Sequence, residues 1–214
     1  MARTAGSDGE KTEAAIREAA AQLIARHGFD AVTMRQLAAE VGVQAAALYR
    51  YFPAKEDLLF ELMQDHMAGL LAALEAALPS GSDARARLLA FIANHVRFHI
   101  ERRHQTHVSN MELRSLTRAH LSDILRLRSA YEKELRAILR DGQEEGSFSV
   151  DDVALTSMAI IQMITGVIVW FRPDDRLSID DVTTTYQTMT LRLVGARPPE
   201  EKPHVPPQHE IRTW

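Results

Sequence analysis

The 214-residue chain contains no cysteine, which excludes a disulfide framework and a thiolate metal site. It also lacks strand signals: no alternating run of β-branched residues is bracketed by hairpin turns. Aromatic residues make up only 6% of the chain, so the core must be built mainly from aliphatic side chains. There is no glycine-rich phosphate loop and no nucleophile elbow. The adjacent acids Glu144-Glu145 and Asp151-Asp152 fall where helices should end, and solvation or capping accounts for them. An enzyme is therefore not expected. A strong excess of one charge is missing too: a net −4 argues against a protein that coats nucleic acid non-specifically. Up to Lys55 there are seven Lys/Arg against six Asp/Glu, a local +1 that leaves −5 for the remainder. Residues Met1 to Gly9 are polar and carry no apolar signal-peptide segment. The longest apolar run, Met158 to Phe171, is interrupted by Gln162, Thr165 and Gly166. It falls short of the roughly 18 residues of a membrane span and reads as a buried helix. The expectation is a cytoplasmic protein with no membrane contact.

What the chain has in abundance is helical periodicity. Ser7-Asp8-Gly9-Glu10 reads as a capping box opening a first helix, with Ile16, Ala19, Ala20, Leu23 and Ile24 as its apolar stripe and Gly28 at its end. Thr33 with Gln36 reads as a second capping box, for a short helix that turns Leu37, Ala38 and Val41 inward and stops at Gly42. A third short helix is expected from about Gln44 to Phe52, ended by Pro53. Longer helices follow over about 54–78, 83–104, 119–143, 150–171 and 179–194, with a loose segment around 106–116. From Gly195 onward, Pro198, Pro199, Pro203, Pro206 and Pro207 among charged residues read as a disordered tail. The fold class expected is all-α. It divides into a three-helix head over residues 1–54, a six-helix body over 55–195 and the Pro-rich tail over 196–214.

The segment Thr33 to Leu59 carries the function. Two short helices joined by a glycine turn are the physical requirement for a helix-turn-helix: the second helix enters a major groove about 12 Å wide while the first braces across the backbone. Leu37, Val41, Val43, Leu48 and Phe52 pack the pair. Gln44 and the slim Ala45-Ala46-Ala47 face approach base edges. Thr33, Arg35, Tyr49, Arg50, Tyr51 and Lys55 supply phosphate or base contacts.

This stretch resembles the DNA-binding head of the TetR family of repressors. The resemblance rests on Thr33, Leu37-Ala38, Val41-Gly42-Val43, Leu48-Tyr49, Tyr51-Phe52, Lys55 and Leu58-Leu59. It implies a homodimer bound to a palindromic DNA operator, with a body that senses a small molecule and no cofactor. Two departures stand out: Gln44 replaces the usual Ser/Thr cap of the recognition helix, and Ala46 replaces a common glycine. With three alanines on the reading face, part of the specificity is expected from DNA shape.

The last two helices expose a broad apolar stripe, expected to form a four-helix dimer interface through Met158, Ile161, Thr165, Ile168, Phe171, Tyr186, Met189 and Leu193. The ligand pocket is expected among Met63, Met67, Leu70, Phe91, His95, Phe98, Met111, Leu113, Ile124, Leu127, Tyr131, Met163, Val167 and Trp170, which offer adaptable apolar and aromatic walls. The run Val169 to Ser178, with Trp170-Phe171-Arg172-Pro173 and Arg176-Leu177-Ser178, is similar to a subgroup that senses acyl-CoA thioesters. Leu125-Arg126-Leu127-Arg128 through Tyr131-Glu132 is similar to it as well. For such a ligand Arg97, Arg102, Arg103, Arg114, Arg118, Arg126 and Arg128 are candidate cations, whereas Arg172 and Arg176 are equally suited to capping helix ends or pairing with Asp174, Asp175 or Asp180. Two other readings are open: a metal-responsive regulator using His95 and His99, four apart on one helix, with His66, His104, His107 and Glu112 nearby, and a structural helical dimer that binds no DNA.

Overall fold

The structure, a computed structural model, describes residues 5–173 and 176–196. Among the described residues every regular element is helical. Helices α1 (Ala5–His27), α2 (Met34–Val41) and α3 (Ala45–Leu48) form the head. The body comprises α4 (Lys55–Ala77), α5 (Ala84–Glu101), α6 (Arg103–Met111), a 3₁₀ turn (Leu113–Ser115), α7 (Arg118–Glu144), α8 (Val153–Thr165), α9 (Val167–Trp170) and α10 (Ile179–Leu193).

Two apolar cores organise these helices. The head core unites Ile16, Ala20 and Ile24 of α1 with Leu37 and Ala38 of α2, Leu48, Phe52, and Leu58, Leu59 and Met63 of α4. The body core joins Leu70 and Leu74 of α4 to Leu88, Phe91 and Ile92 of α5, Leu135 and Ile138 of α7, Ile160 and Ile164 of α8, and Val182 and Tyr186 of α10. One helix, α4, therefore supplies its first turns to the head and its later turns to the body. Val108 of α6 and Ile124 of α7 close the head core from the body side.

Local chemistry explains the boundaries. Asp83, Thr117, Asp152 and Ser178 each accept backbone N–H groups at the starts of α5, α7, α8 and α10. Beyond α7 the chain folds back and seats the ring of Phe148 directly on Gly142, where an added Cβ would lie 2.0 Å from a ring carbon.

Four sequence expectations are corrected here. The first helix runs from Ala5, so Ser7 to Glu10 lie within it and do not open it. The segment around 106–116 is α6 and a 3₁₀ turn, because Val108 has a core to enter. The helix expected over 150–171 breaks at Gly166 into α8 and α9. Finally, the uncharged window Val153–Trp170 does reach 18 residues, with a mean hydropathy of 1.9, and only 28% of it is buried within the chain. The expected tail lies outside the described residues, apart from Ala196.

Candidate nucleic-acid interface and effector core

The head is held by short-range devices. Thr33 Oγ1 accepts the N–H of Gln36 at 3.2 Å, and Gln36 Oε1 accepts the N–H of Thr33 at 2.8 Å, so the box closes in both directions. At the other end of α2, Gly42 takes φ 74°, a left-handed conformation that suits glycine. Val43 N–H then closes on Ala38 O at 2.9 Å. Arg17 ties α1 to α4 through Glu61 at 2.6 Å and Asp65 at 2.8 Å, and lies 5.1 Å from the centre of the Phe52 ring.

The reading element is shorter than expected. Gln44 occupies the N-cap of α3 without a capping side-chain bond, and regular helix lasts only from Ala45 to Leu48. Tyr49 to Tyr51 continue as turns, with Tyr51 N–H on Leu48 O at 3.0 Å. Leu48 and Phe52 are fully buried and anchor this segment, while Tyr49 stands 50% exposed. Thr33, Arg35, Gln44, Ala46 and Arg50 are exposed as well, and Ala45, Ala47 and Tyr51 are half-buried. Lys55 differs from its expected role. Its Nζ donates to Phe29 O at 2.8 Å and Val32 O at 2.9 Å, and sits 4.1 Å from the centre of the Phe29 ring. The ammonium fastens α4 to the α1–α2 turn in place of reaching outward for phosphate.

A seam joins head and body. Glu112, buried just after α6, accepts the N–H of Phe29 at 3.2 Å and the hydroxyl of Ser115 at 3.1 Å. Glu56 accepts the N–H of Thr117 at 2.6 Å, and Gln105 donates to Glu18 at 2.8 Å. Sequence reasoning missed the pairing of Glu112 with Phe29 because their meeting is a tertiary event without local periodicity.

Inside the body lies a polar seam among apolar walls. His95 Nδ1 bonds the hydroxyl of Tyr131 at 3.1 Å, and its Nε2 bonds Thr165 Oγ1 at 2.9 Å. Its ring stacks on His99 with centroids 3.8 Å apart, and His66 meets His99 edge-on at 5.6 Å. His99 Nδ1–H donates to the carbonyl of His95 at 2.8 Å. Burial, reinforced by neighbouring positive charge, lowers the pKa of His66 to about 3. Burial lowers that of His99 to about 4, with its bond to His95 O in partial opposition. Burial likewise holds His95 well below its usual value and raises Tyr131. These histidines are neutral at physiological pH.

The candidate pocket residues divide. Met67, Leu70, Phe91, His95, Phe98, Tyr131 and Val167 are buried in the body, with Leu127 and Met163 partly buried against its core. Phe98 also lines two adjoining clefts of about 460 and 390 Å³ along α4 and α5. Leu127 lines another, of about 630 Å³, between α4 and α7. Met63 and Ile124 belong to the head core, and Leu113 packs beside it. Met111 and Trp170 lie at the surface, 61% and 46% exposed, so neither walls an internal pocket.

The candidate interface residues divide similarly. Ile168, Phe171 and Tyr186 are taken up by the body core, Ile161 packs against it and Thr165 bonds His95. Met158, Met189 and Leu193 are exposed, together with Leu155, which lies outside the expected stripe. Arg172 donates to Val169 O and Phe171 O, a capping role at the end of α9, and Asp180 pairs with Arg97. The pairings considered for Asp174 and Asp175 lie outside the described residues. The metal reading finds no support: both nitrogens of His95 are engaged, and among the described residues no three His, Cys, Asp or Glu side chains gather as a metal set.

Two short helices joined by a left-handed glycine, braced by α1 and carried on a larger helical body, define a helix-turn-helix DNA-binding regulator. Residues 16–62 match the bacterial regulatory proteins of the tetR family, and residues 81–194 match the tetracyclin repressor-like C-terminal domain. The chain belongs to the TetR family of transcriptional regulators, which are not enzymes. It is 25% identical to the HTH-type transcriptional repressor KstR2 of Rhodococcus jostii over 190 residues, 88% of this chain and 92% of that one. The TetR family regulator PfmR of Thermus thermophilus superposes with a TM-score of 0.77 at 36% identity, covering 83% of this chain and 97% of PfmR. AibR, solved with isovaleryl coenzyme A and operator DNA, shares the fold with a TM-score of 0.77 at 22% identity, covering 87% of this chain and all, 100%, of AibR.

Proposed function

We propose that this TetR-type regulator is a cytoplasmic, ligand-responsive repressor that binds a palindromic DNA operator as a homodimer and is released by an acyl-CoA thioester. The observation that carries the reading is the exposed surface from Gln44 to Arg50, presented on the buried anchors Leu48 and Phe52. Residues 1–54 act as the reading head and 55–195 as the sensing and dimerising body. The exposed Leu155, Met158, Met189 and Leu193 on α8 and α10 supply an apolar face suited to a four-helix contact between two copies. The acyl-CoA assignment draws support from the Trp170–Ser178 resemblance and from the ligand of AibR.

The mechanism is a shift of populations. Two heads read successive major grooves, with centres roughly 34–36 Å apart. Since α4 belongs to both cores and Glu112 grips the head from the body, repacking of the body moves the heads. The effector must bind the off-DNA state more tightly, because equal affinity shifts nothing.

Selection from a random duplex pool tests the reading. The expected winner is a palindrome bound by a particle of twice the chain mass and released by an acyl-CoA. A monomeric particle in solution, or a pool that never converges, would overturn it.

A further inference from the structure

Arg128 is a largely buried cation. Its Nη2 donates to the carbonyl of Ser109 at 2.6 Å and to Asn110 Oδ1 at 3.0 Å. Among the described residues no carboxylate pairs with it. Its Nε is buried without a partner, and so are Ser109 Oγ and His66 Nδ1. Ser109 and His66 are both more than nine-tenths buried. Burial disfavours the charge on Arg128, and Arg128 in turn helps to hold His66 and His99 neutral. A guanidinium removed from water is costly unless acceptors surround it. Here two neutral acceptors serve one nitrogen, and Nε is left over.

The surroundings select a chemistry. Arg128 offers only donors, Ser109 offers a hydroxyl, and neutral His66 can present an N–H. The carboxylates that border the neighbouring cleft, Glu18 and Asp65, are engaged with Gln105 and Arg17. His66 also lines the cleft of about 390 Å³ between α1, α4 and α5, which has an apolar side at Gly69, Ala73 and Phe98 and a charged rim of Arg17, Glu18, Asp65 and Arg102. Of the cluster, His66 is the member that borders this cleft, so an acyl chain entering there would lie along Gly69, Ala73 and Phe98.

We propose that Arg128, with Ser109 and His66 beside it, forms the subsite that receives the acyl oxygen of the effector, either a free carboxylate or the carbonyl of a thioester. The inference rests on the effector reading above and names the group by which that effector is held. It also places the effector on the route to DNA. The guanidinium now secures the last turn of α6 through Ser109 and Asn110, and the next residues lead to Glu112, which holds Phe29 of the head. An oxygen competing for Arg128 acts on that segment.

The test is calorimetric titration of the full chain with short, medium and long straight-chain fatty acids, their CoA thioesters and the corresponding alcohols. Wild type is expected to bind an acyl compound and to ignore the alcohol of the same length. Arg128→Met is expected to weaken that binding about tenfold or more, the scale of a charge-assisted hydrogen bond. Ser109→Ala should weaken it about fivefold. Thermal melting identifies folded variants. If Arg128→Met does not fold, Arg128→Lys and Ser109→Ala carry the test, with loss of affinity expected in both. Unchanged affinity in the folded variants overturns the subsite and leaves the effector reading standing. Free acids that bind through Arg128 while no thioester binds uphold the subsite and overturn the thioester reading. If no acyl compound binds, both fail.

Discussion

Glu112 Oε1 accepts the backbone N–H of Phe29 at 3.2 Å across 83 residues of sequence. The carboxylate is buried, so the bond forms where water cannot replace it. Glu112→Ala leaves the Phe29 amide unsatisfied and is expected to cost about 1–3 kcal/mol. Denaturant unfolding should report that loss, and hydrogen exchange should show the Phe29 amide opening faster. Glu112→Gln retains an acceptor and should recover most of the stability.

Lys55 and Tyr49 are expected to separate folding from DNA binding. Lys55 Nζ satisfies two head carbonyls, so Lys55→Ala should lower the unfolding free energy by about 1–3 kcal/mol. Operator affinity should fall with it. Tyr49 touches solvent, and Tyr49→Ala should leave the melting temperature unchanged while weakening operator binding. Arg50→Ala should reduce the slope of log affinity against log salt by about one. Denaturation and salt-dependent titration of the three variants provide the check.

Gly142→Ala is expected to be among the most damaging single-methyl additions in the chain. The new Cβ would lie 2.0 Å from a Phe148 ring carbon, so the α7–α8 connection would have to move. Overpacking of this kind costs about 1–3 kcal/mol or more. Circular dichroism melts should show the loss, and Gly142→Ala combined with Phe148→Leu should regain part of it.

Stability should fall as the solution is acidified below about pH 6.5, the ordinary histidine pKa. His66 and His99 are held neutral in the folded chain, with pKa lowered to about 3 and about 4. In the unfolded chain they protonate near the ordinary value, about 6.5. Between the folded and unfolded values the unfolded state binds more protons, so the stability these residues contribute is complete above the unfolded pKa and declines as pH drops toward the folded one. For His99 alone the shift is worth on the order of 3 kcal/mol. Urea midpoints across this window should fall steeply for wild type and less steeply for His99→Gln. A flat wild-type profile would contradict the buried, neutral state.

The head is legible in the sequence because its determinants are local. Thr33 and Gln36 lie three apart, Gly42 ends a short stripe, and Leu48 and Phe52 recur at one helical turn. The body is legible only as a set of helices. Periodicity identifies Ile168, Phe171 and Tyr186 as apolar without telling a core from a surface, and the fold buries all three. Met111 has the side chain of a pocket residue, yet it ends α6 in solvent. The spacing of His95 and His99 stands out in the sequence, but Tyr131 and Thr165, which bond His95, come from α7 and α8. No local pattern encodes that meeting.

The recognition segment is a single helical turn, Ala45 to Leu48, with no side chain capping its start. An isolated turn that short has little stability of its own. The reader borrows its order from the buried Leu48 and Phe52, and its exposed residues from Gln44 to Arg50 are expected to tighten further on the operator. Association should carry a large unfavourable ordering entropy offset by enthalpy, with a heat-capacity drop greater than that of rigid docking. Gln44→Ser, which would supply the missing cap, should shrink that entropic penalty while removing whatever base preference the Gln44 side chain contributes.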